Sequence, residues 1–143
     1  MTEEALIPRG IRNHNPGNIR RSATHWLGMA AVQSDPDFLV FADAVHGIRA
    51  MAVILHHYGR EISPVTVRTV IGRWAPPNEN ATDIYIRGVA AALGISPDQP
   101  IDLGRSDVLV SLVTAIIHYE NGQQPYTGVQ MAEAIALALA PHG

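Results

Sequence analysis

The sequence predicts a mainly α fold, with about five helices and a small N-terminal β or loop lobe. Three observations carry this expectation. Apolar residues recur at helical spacing from Asp43 onward. Turn-forming residues crowd positions 9–41, leaving only short extended pieces such as Phe38-Leu39-Val40-Phe41. A chain of 143 residues, 47% hydrophobic and 16% charged, is long and apolar enough to bury one globular core.

Residues 1–8 read as a flexible leader and residues 9–143 as a single domain. Within the lobe, "IRNHNPGNIR" offers only Ile11 and Ile19 to a core. Asn15-Pro16-Gly17-Asn18 is turn chemistry: Pro presets φ, Gly takes positive φ, and asparagine amides bond nearby backbone. The first helix, "DAVHGIRAMAVILHHYGR", has Asp43 as N-cap, Val45, Ile48, Ala52 and Leu55 on one face, and Gly59 as its stop. In the second, "SPVTVRTVIGRWA", Ser63 is the expected cap with Pro64 in the first turn, and the helix must end before Pro76-Pro77. A third runs from about Ala81 to Gly94, with Asn80 or Thr82 able to cap it. Ser106 caps a fourth, "DVLVSLVTAIIHYE", which Asn121-Gly122 terminates. Thr127 caps a fifth, "GVQMAEAIALALA".

Composition narrows the function classes. A net charge of −3 and a pI near 6.1 argue against a duplex-DNA binder held by phosphate contacts, although Arg9, Arg12, Arg20 and Arg21 make the start locally basic. The absence of cysteine excludes disulfides and thiol catalysis. "MTEEALIPRG" lacks the basic n-region and apolar h-region of a signal peptide, and no apolar run approaches the roughly 18 residues of a membrane span. The expectation is a chain made in the cytoplasm, with no membrane span. Seven histidines fall at no metal-binding spacing, and neither a phosphate loop nor a G-x-S-x-G elbow occurs. No cofactor or metal is expected.

One carboxylate stands out. Leu109, Leu112, Val113, Ile116 and Ile117 form an apolar stripe, and Glu120 continues it four residues past Ile116. It also falls at a helix C-terminus, where the macrodipole opposes an anion. Burial and dipole together favour the protonated acid, the form a general acid for a glycosidic oxygen needs. A glutamate at a frayed helix end can equally bend out to solvent. The stiff loop "WAPPNENATDIY" supplies a second candidate, Glu79, beside Asn78 and Asn80, with Tyr85 one turn on.

The segments "RGIRNHNPGNIR", "HWLGM", "FLVFADAVHGIRAMAVILHHY", "WAPPNENATDIYI" and "HYENG" together resemble a family of small phage and prophage virion proteins. Members of that family open with R-G-I-R-N-N-N-P-G-N-I and are taken to be lysozyme-like. The resemblance spans roughly residues 9–126 and departs at His14, where the family has Asn. A more distant likeness is to glucosaminidase-type domains of the lysozyme superfamily, whose catalytic helix ends in Glu-Ser-Gly or similar. Here "AIIHYENG" follows the other elements instead of preceding them, which implies a circularly permuted relative.

The resemblance implies a peptidoglycan-degrading glycosidase: a muramidase, glucosaminidase or lytic transglycosylase. Glu120 would be the acid and Glu79 the second candidate. Asn13, Asn15, Asn18, Asn78, Asn80 and Asn121 would bond sugar hydroxyls and N-acetyl groups, with Tyr85 lining the groove. Trp26 or Trp74 would stack on a sugar face, or serve the core. A second carboxylate is open between Asp35, Asp37, Asp43 and Glu79, and single-glutamate transglycosylases need none. The implied partners are the glycan strand and other virion or injection-device proteins, with action at the cell wall after delivery. A catalytically inactive virion structural protein, binding glycan or a neighbouring subunit, is the alternative. A nucleic-acid module using the Arg9–Arg21 patch is the weakest reading.

Overall fold

The computed structural model describes residues 7–75 and 78–141, except the side chains of Glu79 and Asn80. The helices are α1 (Arg9–Arg12), α2 (Ala44–Glu61), α3 (Val67–Trp74), α4 (Glu79–Leu93), α5 (Ser106–Asn121) and α6 (Gly128–Leu139). Strand pairing among the described residues is limited to two isolated bridges, Arg20 with Phe38 and Met29 with Phe41. The fold is mainly α.

Helices α2 and α5 are central. The α2 face made by Ile48, Met51, Ala52 and Leu55 is fully buried, and α2 packs chiefly along α6. Leu109, Leu112, Ile116 and Ile117 of α5 are likewise inaccessible, meeting α4, α6 and α2. Val67, Val70 and Ile71 of α3 and Ile86, Val89 and Ala90 of α4 close the same core. A smaller cluster, Leu39, Phe41 and Ala50 with Ile19, Trp26 and Met29 against it, holds the N-terminal lobe to α2.

Local signals placed several helix ends. Asp43 caps α2 by accepting from the His46 N–H, and Thr127 caps α6 in a reciprocal box with Gln130. Gly94 and Gly122 end α4 and α5 in the left-handed conformation, at φ of 70° and 71°.

Other ends differ from expectation. Helix α2 runs through Gly59 to Glu61, because Gly59 serves close packing: a Cβ there would come within 2.9 Å of the Leu103 Cβ. Helix α3 starts from Thr66 instead of Ser63; Thr66 and Thr69 satisfy each other's backbone N–H groups, which Ser63 has no partner to do. Asn78 caps α4 through the Ala81 N–H, in place of Asn80 or Thr82. Ser106 is the first residue of α5 and not its cap. The short α1 was not expected, and Pro8, assigned to the leader, is its N-cap.

The N-terminal lobe takes the loop form of the expectation and not the β form. Residues 38–42 are extended but find partners irregularly: Leu39 N–H donates to the Ile19 carbonyl and Phe41 N–H to that of Asn13. On the other edge the Gln33 side chain does the work of a strand, accepting from Val40 N–H at 2.9 Å and donating to the Val40 and Ala30 carbonyls. Backbone pairs on this edge, Ala30 N–H to the Val40 carbonyl and Ala42 N–H to that of Gly28, stay isolated, and the Gln33 amide supplements them.

Gly47 sets how closely the lobe approaches α2. A Cβ there would fall on the His14 carbonyl oxygen, far inside van der Waals contact. Gly72 of α3, by contrast, has open space around it. Gly47→Ala should therefore destabilise the protein by at least about 2 kcal/mol through forced separation of lobe and helix. Gly72→Ala should stabilise it by about 0.5–1 kcal/mol. Urea unfolding of both variants checks the pair; equal effects would refute the close approach.

Candidate functional site

The N-terminal turn forms one lip of an open groove of about 520 Å³, within the usual range for ligand sites. Gly17, Asn18, Ile19, Arg20 and Phe38 line this side. Across it stand Ile54 and Tyr58 of α2, Trp74 and Ala75 at the end of α3, and Glu120 at the end of α5.

The turn is held from within. Asn15 is fully buried; its amide donates to the Ile19 carbonyl at 3.0 Å and the Leu39 carbonyl at 2.9 Å, and its oxygen accepts from the Ile19 N–H at 3.0 Å. His14 and Asn18 take φ of 53° and 50°, a left-handed conformation that Asn and His tolerate better than most residues. That tolerance explains how His14 can stand at a position where an asparagine is otherwise expected. Gly17 fits because a Cβ would strike Met51 and Trp74.

Behind the turn lies a charge network. Asp35 receives Arg9 Nε at 2.6 Å and Asn13 Nδ2 at 2.9 Å, together with the Asp37 and Phe38 N–H groups. The Arg9 hydrogen bonds hold the Asp35 carboxyl far below the usual carboxylate range, against the opposing effect of burial, and the Asn13, Phe38 and Asp37 donors add to this. Arg9 also bonds Asp37 at 3.1 Å. Asp43 is engaged as the α2 cap with His46. Three of the candidate second carboxylates therefore serve the fold and lie off the groove.

At the other wall, Asn121 ties two distant parts of the chain together. Its amide donates to the Pro16 carbonyl and to the Ile117 carbonyl, both at 2.9 Å. Its Oδ1 is buried without a partner. Next to it, Glu120 is half-buried, and its Oε1 accepts from Asn18 Nδ2 at 3.1 Å. Tyr85 lies buried on α4 near Glu120, stacked on Tyr119 with ring centroids 3.8 Å apart. Burial, then the Glu120 charge, pushes the Tyr85 phenol far above its ordinary value, so it stays protonated. Its hydroxyl is buried close to Glu120 and Trp74.

Of the residues singled out from sequence, Asn18 and Glu120 meet in the groove, with Tyr85 close to Glu120. Glu120 is half-buried instead of continuing the fully buried stripe. Asn13, Asn15 and Asn121 are turned inward and engaged with the chain itself, so they build the wall and do not face a ligand. Trp26 packs half-buried against the lobe cluster, and Trp74 is the tryptophan that lines the groove. Asn78 is a helix cap. The side chains of Glu79 and Asn80 lie outside the described residues. The groove also takes in Phe38, Ile54 and Tyr58, which have no site role in the sequence reading, and Arg20, which enters that reading only as part of a basic patch. Ile54 and Tyr58 were findable as an i, i+4 pair off the buried face of α2. No group of three metal-ligating side chains is present among the described residues.

No model of a known protein family matches the sequence. Over 122 residues it is 38% identical to Protein P5 of Pseudoalteromonas phage PM2, covering 83% of this chain and 74% of that protein. The chain belongs to the P5 family of phage proteins. Among the described residues of this P5 relative, no helix is long and apolar enough to cross a membrane.

The Asp35 network makes a prediction about acid stability. A carboxylate whose folded pKa is depressed stabilises the protein above its unfolded value, near 4, and loses that contribution as pH falls toward the folded value. Asp35→Asn should lower the melting temperature at pH 7, and its deficit against wild type should shrink progressively below about pH 4. Thermal melts at pH 7, 4 and 3 test this; a deficit independent of pH would contradict it.

Proposed function

We propose that this chain is a phage virion protein whose groove binds the glycan strand of peptidoglycan. The observation that carries the reading is the meeting of Asn18 and Glu120, more than a hundred positions apart in sequence, in one groove beside Trp74 and Tyr58. A carboxylate, an amide and aromatic faces are the groups that bind sugars: the polar pair takes hydroxyls and N-acetyl groups, the rings take apolar sugar faces. The lysozyme-like resemblance calls for the same juxtaposition of N-terminal motif and helix end. Membership in a family with a phage relative supports a virion setting.

A second reading, cleavage of that strand, is favoured by one specific feature. Glu120 lines the groove at the end of α5 with no cationic partner among the described residues, and Asn18 Nδ2 holds one of its carboxylate oxygens. In its protonated form Glu120 would donate its proton to the glycosidic oxygen as the C–O bond breaks. The resulting carboxylate would take a proton back from an attacking water, or from a hydroxyl of the same sugar in a transglycosylase. Asn18 would fix the carboxylate's orientation. Because Glu120 is the acid that lines the groove among the described residues, single-glutamate chemistry fits this site better than a two-carboxylate scheme.

Sedimentation with purified peptidoglycan, followed by mass analysis of released fragments, separates the readings. Wild type should co-sediment. If it also cleaves, Glu120→Gln should keep the melting temperature and the co-sedimentation while fragment release falls by at least about 10²-fold. Binding without release leaves the non-catalytic virion protein. Failure to co-sediment would overturn the proposal.

A further inference from the structure

Two arginines flank the Phe38 ring, and their charges have different fates. Arg9 lies 4.7 Å from the ring centroid and Arg20 5.1 Å. Arg9 is neutralised by Asp35 and Asp37. Arg20 is exposed, lines the groove, and forms no ion pair among the described residues. Its backbone is fixed by the bridge to Phe38, and the ring holds its guanidinium over an apolar surface. The neighbouring Arg21 is engaged with the Asp35 carbonyl, which leaves Arg20 as the turn's cation at the groove.

We infer that the groove recognises a glycan bearing a carboxylate, and that Arg20 holds that carboxylate while the sugar lies against Asn18 and Glu120. The inference rests on the glycan-binding reading and adds the substrate's charge to it. A guanidinium offers planar paired donors that match a carboxylate, and stacking on Phe38 keeps the fork oriented. Glu120 itself would repel an acid, so the ligand's negative group must fall at the Arg20 end with neutral sugar at the Glu120 end. Peptidoglycan carries carboxylates at two places beside the strand: the lactyl ether of the muramic sugar, free once the peptide is removed, and the peptide stem. Chitin oligosaccharides carry none.

Affinity measurements on three glycans of equal length test the assignment: stem-bearing strands, amidase-stripped strands with free lactyl carboxylates, and chitin oligosaccharides. Wild type should bind at least one acidic strand about ten-fold or more tightly than chitin, with a margin that narrows as salt rises. Tighter binding of stripped strands assigns the lactyl group, and of intact strands the stem; either supports the inference. Arg20→Gln should bind all three alike, and Arg20→Lys should keep part of the preference. If wild type binds all three alike, or Arg20→Gln keeps the preference, Arg20's role is overturned while glycan binding stands. If no glycan binds, both fall.

Discussion

Two buried asparagine amides, Asn15 and Asn121, hold the groove side of the molecule together. Each satisfies backbone carbonyls that would otherwise be sealed from water, and leaving such a group unpaired costs about 1–3 kcal/mol. Asn15 closes the turn onto Ile19 and Leu39, while Asn121 clamps that turn, through the Pro16 carbonyl, to the last turn of α5. Gly10, Gly17 and Gly47 then allow an approach that any side chain would block, with Gly10 facing the amide oxygens of Asn18 and Asn121. The run of asparagines around a Pro-Gly pair is thus a device for welding an irregular loop to helices. Its one amide left facing the groove is Asn18.

This weld decides which charges are free. Asp35, Asp37 and Asp43 look alike in sequence to any catalytic carboxylate, yet all are committed to Arg9 or to a helix N-terminus. Among the described residues the groove is lined by one acid, Glu120, and one cation, Arg20. The two sides of the groove therefore differ: a carboxylate beside aromatic Trp74 and Tyr58 on one, and a guanidinium on Phe38 on the other.

Features set by a few neighbouring residues were legible in the sequence. The Asp43 and Thr127 caps and the Gly94 and Gly122 stops are local chemistry, and each stands where it was read. Gly59 was misread because its lack of a side chain serves contact with Leu103, a distant residue that no local pattern reveals. The α3 start was misplaced because Ser63-Pro64 mimics a helix entry three residues before the Thr66–Thr69 box. Glu120 was singled out from an apolar stripe and a helix end; the fold sets it half-buried off that stripe, on the groove wall. Asn13 and Asn15 were singled out for the right reason, their amides, but assigned to a ligand when the chain itself is their partner. Arg20 was read only as part of a basic patch; that it lines the groove with no ion pair among the described residues is revealed by the folded arrangement.

The central claim, that turn and helix end form one cooperative unit, is most directly tested by native-state hydrogen exchange across low denaturant concentrations. The Ile19 amide, bonded to Asn15 Oδ1, and the Leu39 amide, bonded to the Ile19 carbonyl, report on the turn. Those of Ile116 and Ile117 report on α5. The account predicts that all four exchange with one opening free energy and one denaturant dependence. Rapid, denaturant-independent exchange at Ile19 and Leu39, with Ile116 and Ile117 still protected, would show that the turn opens by itself and would contradict it.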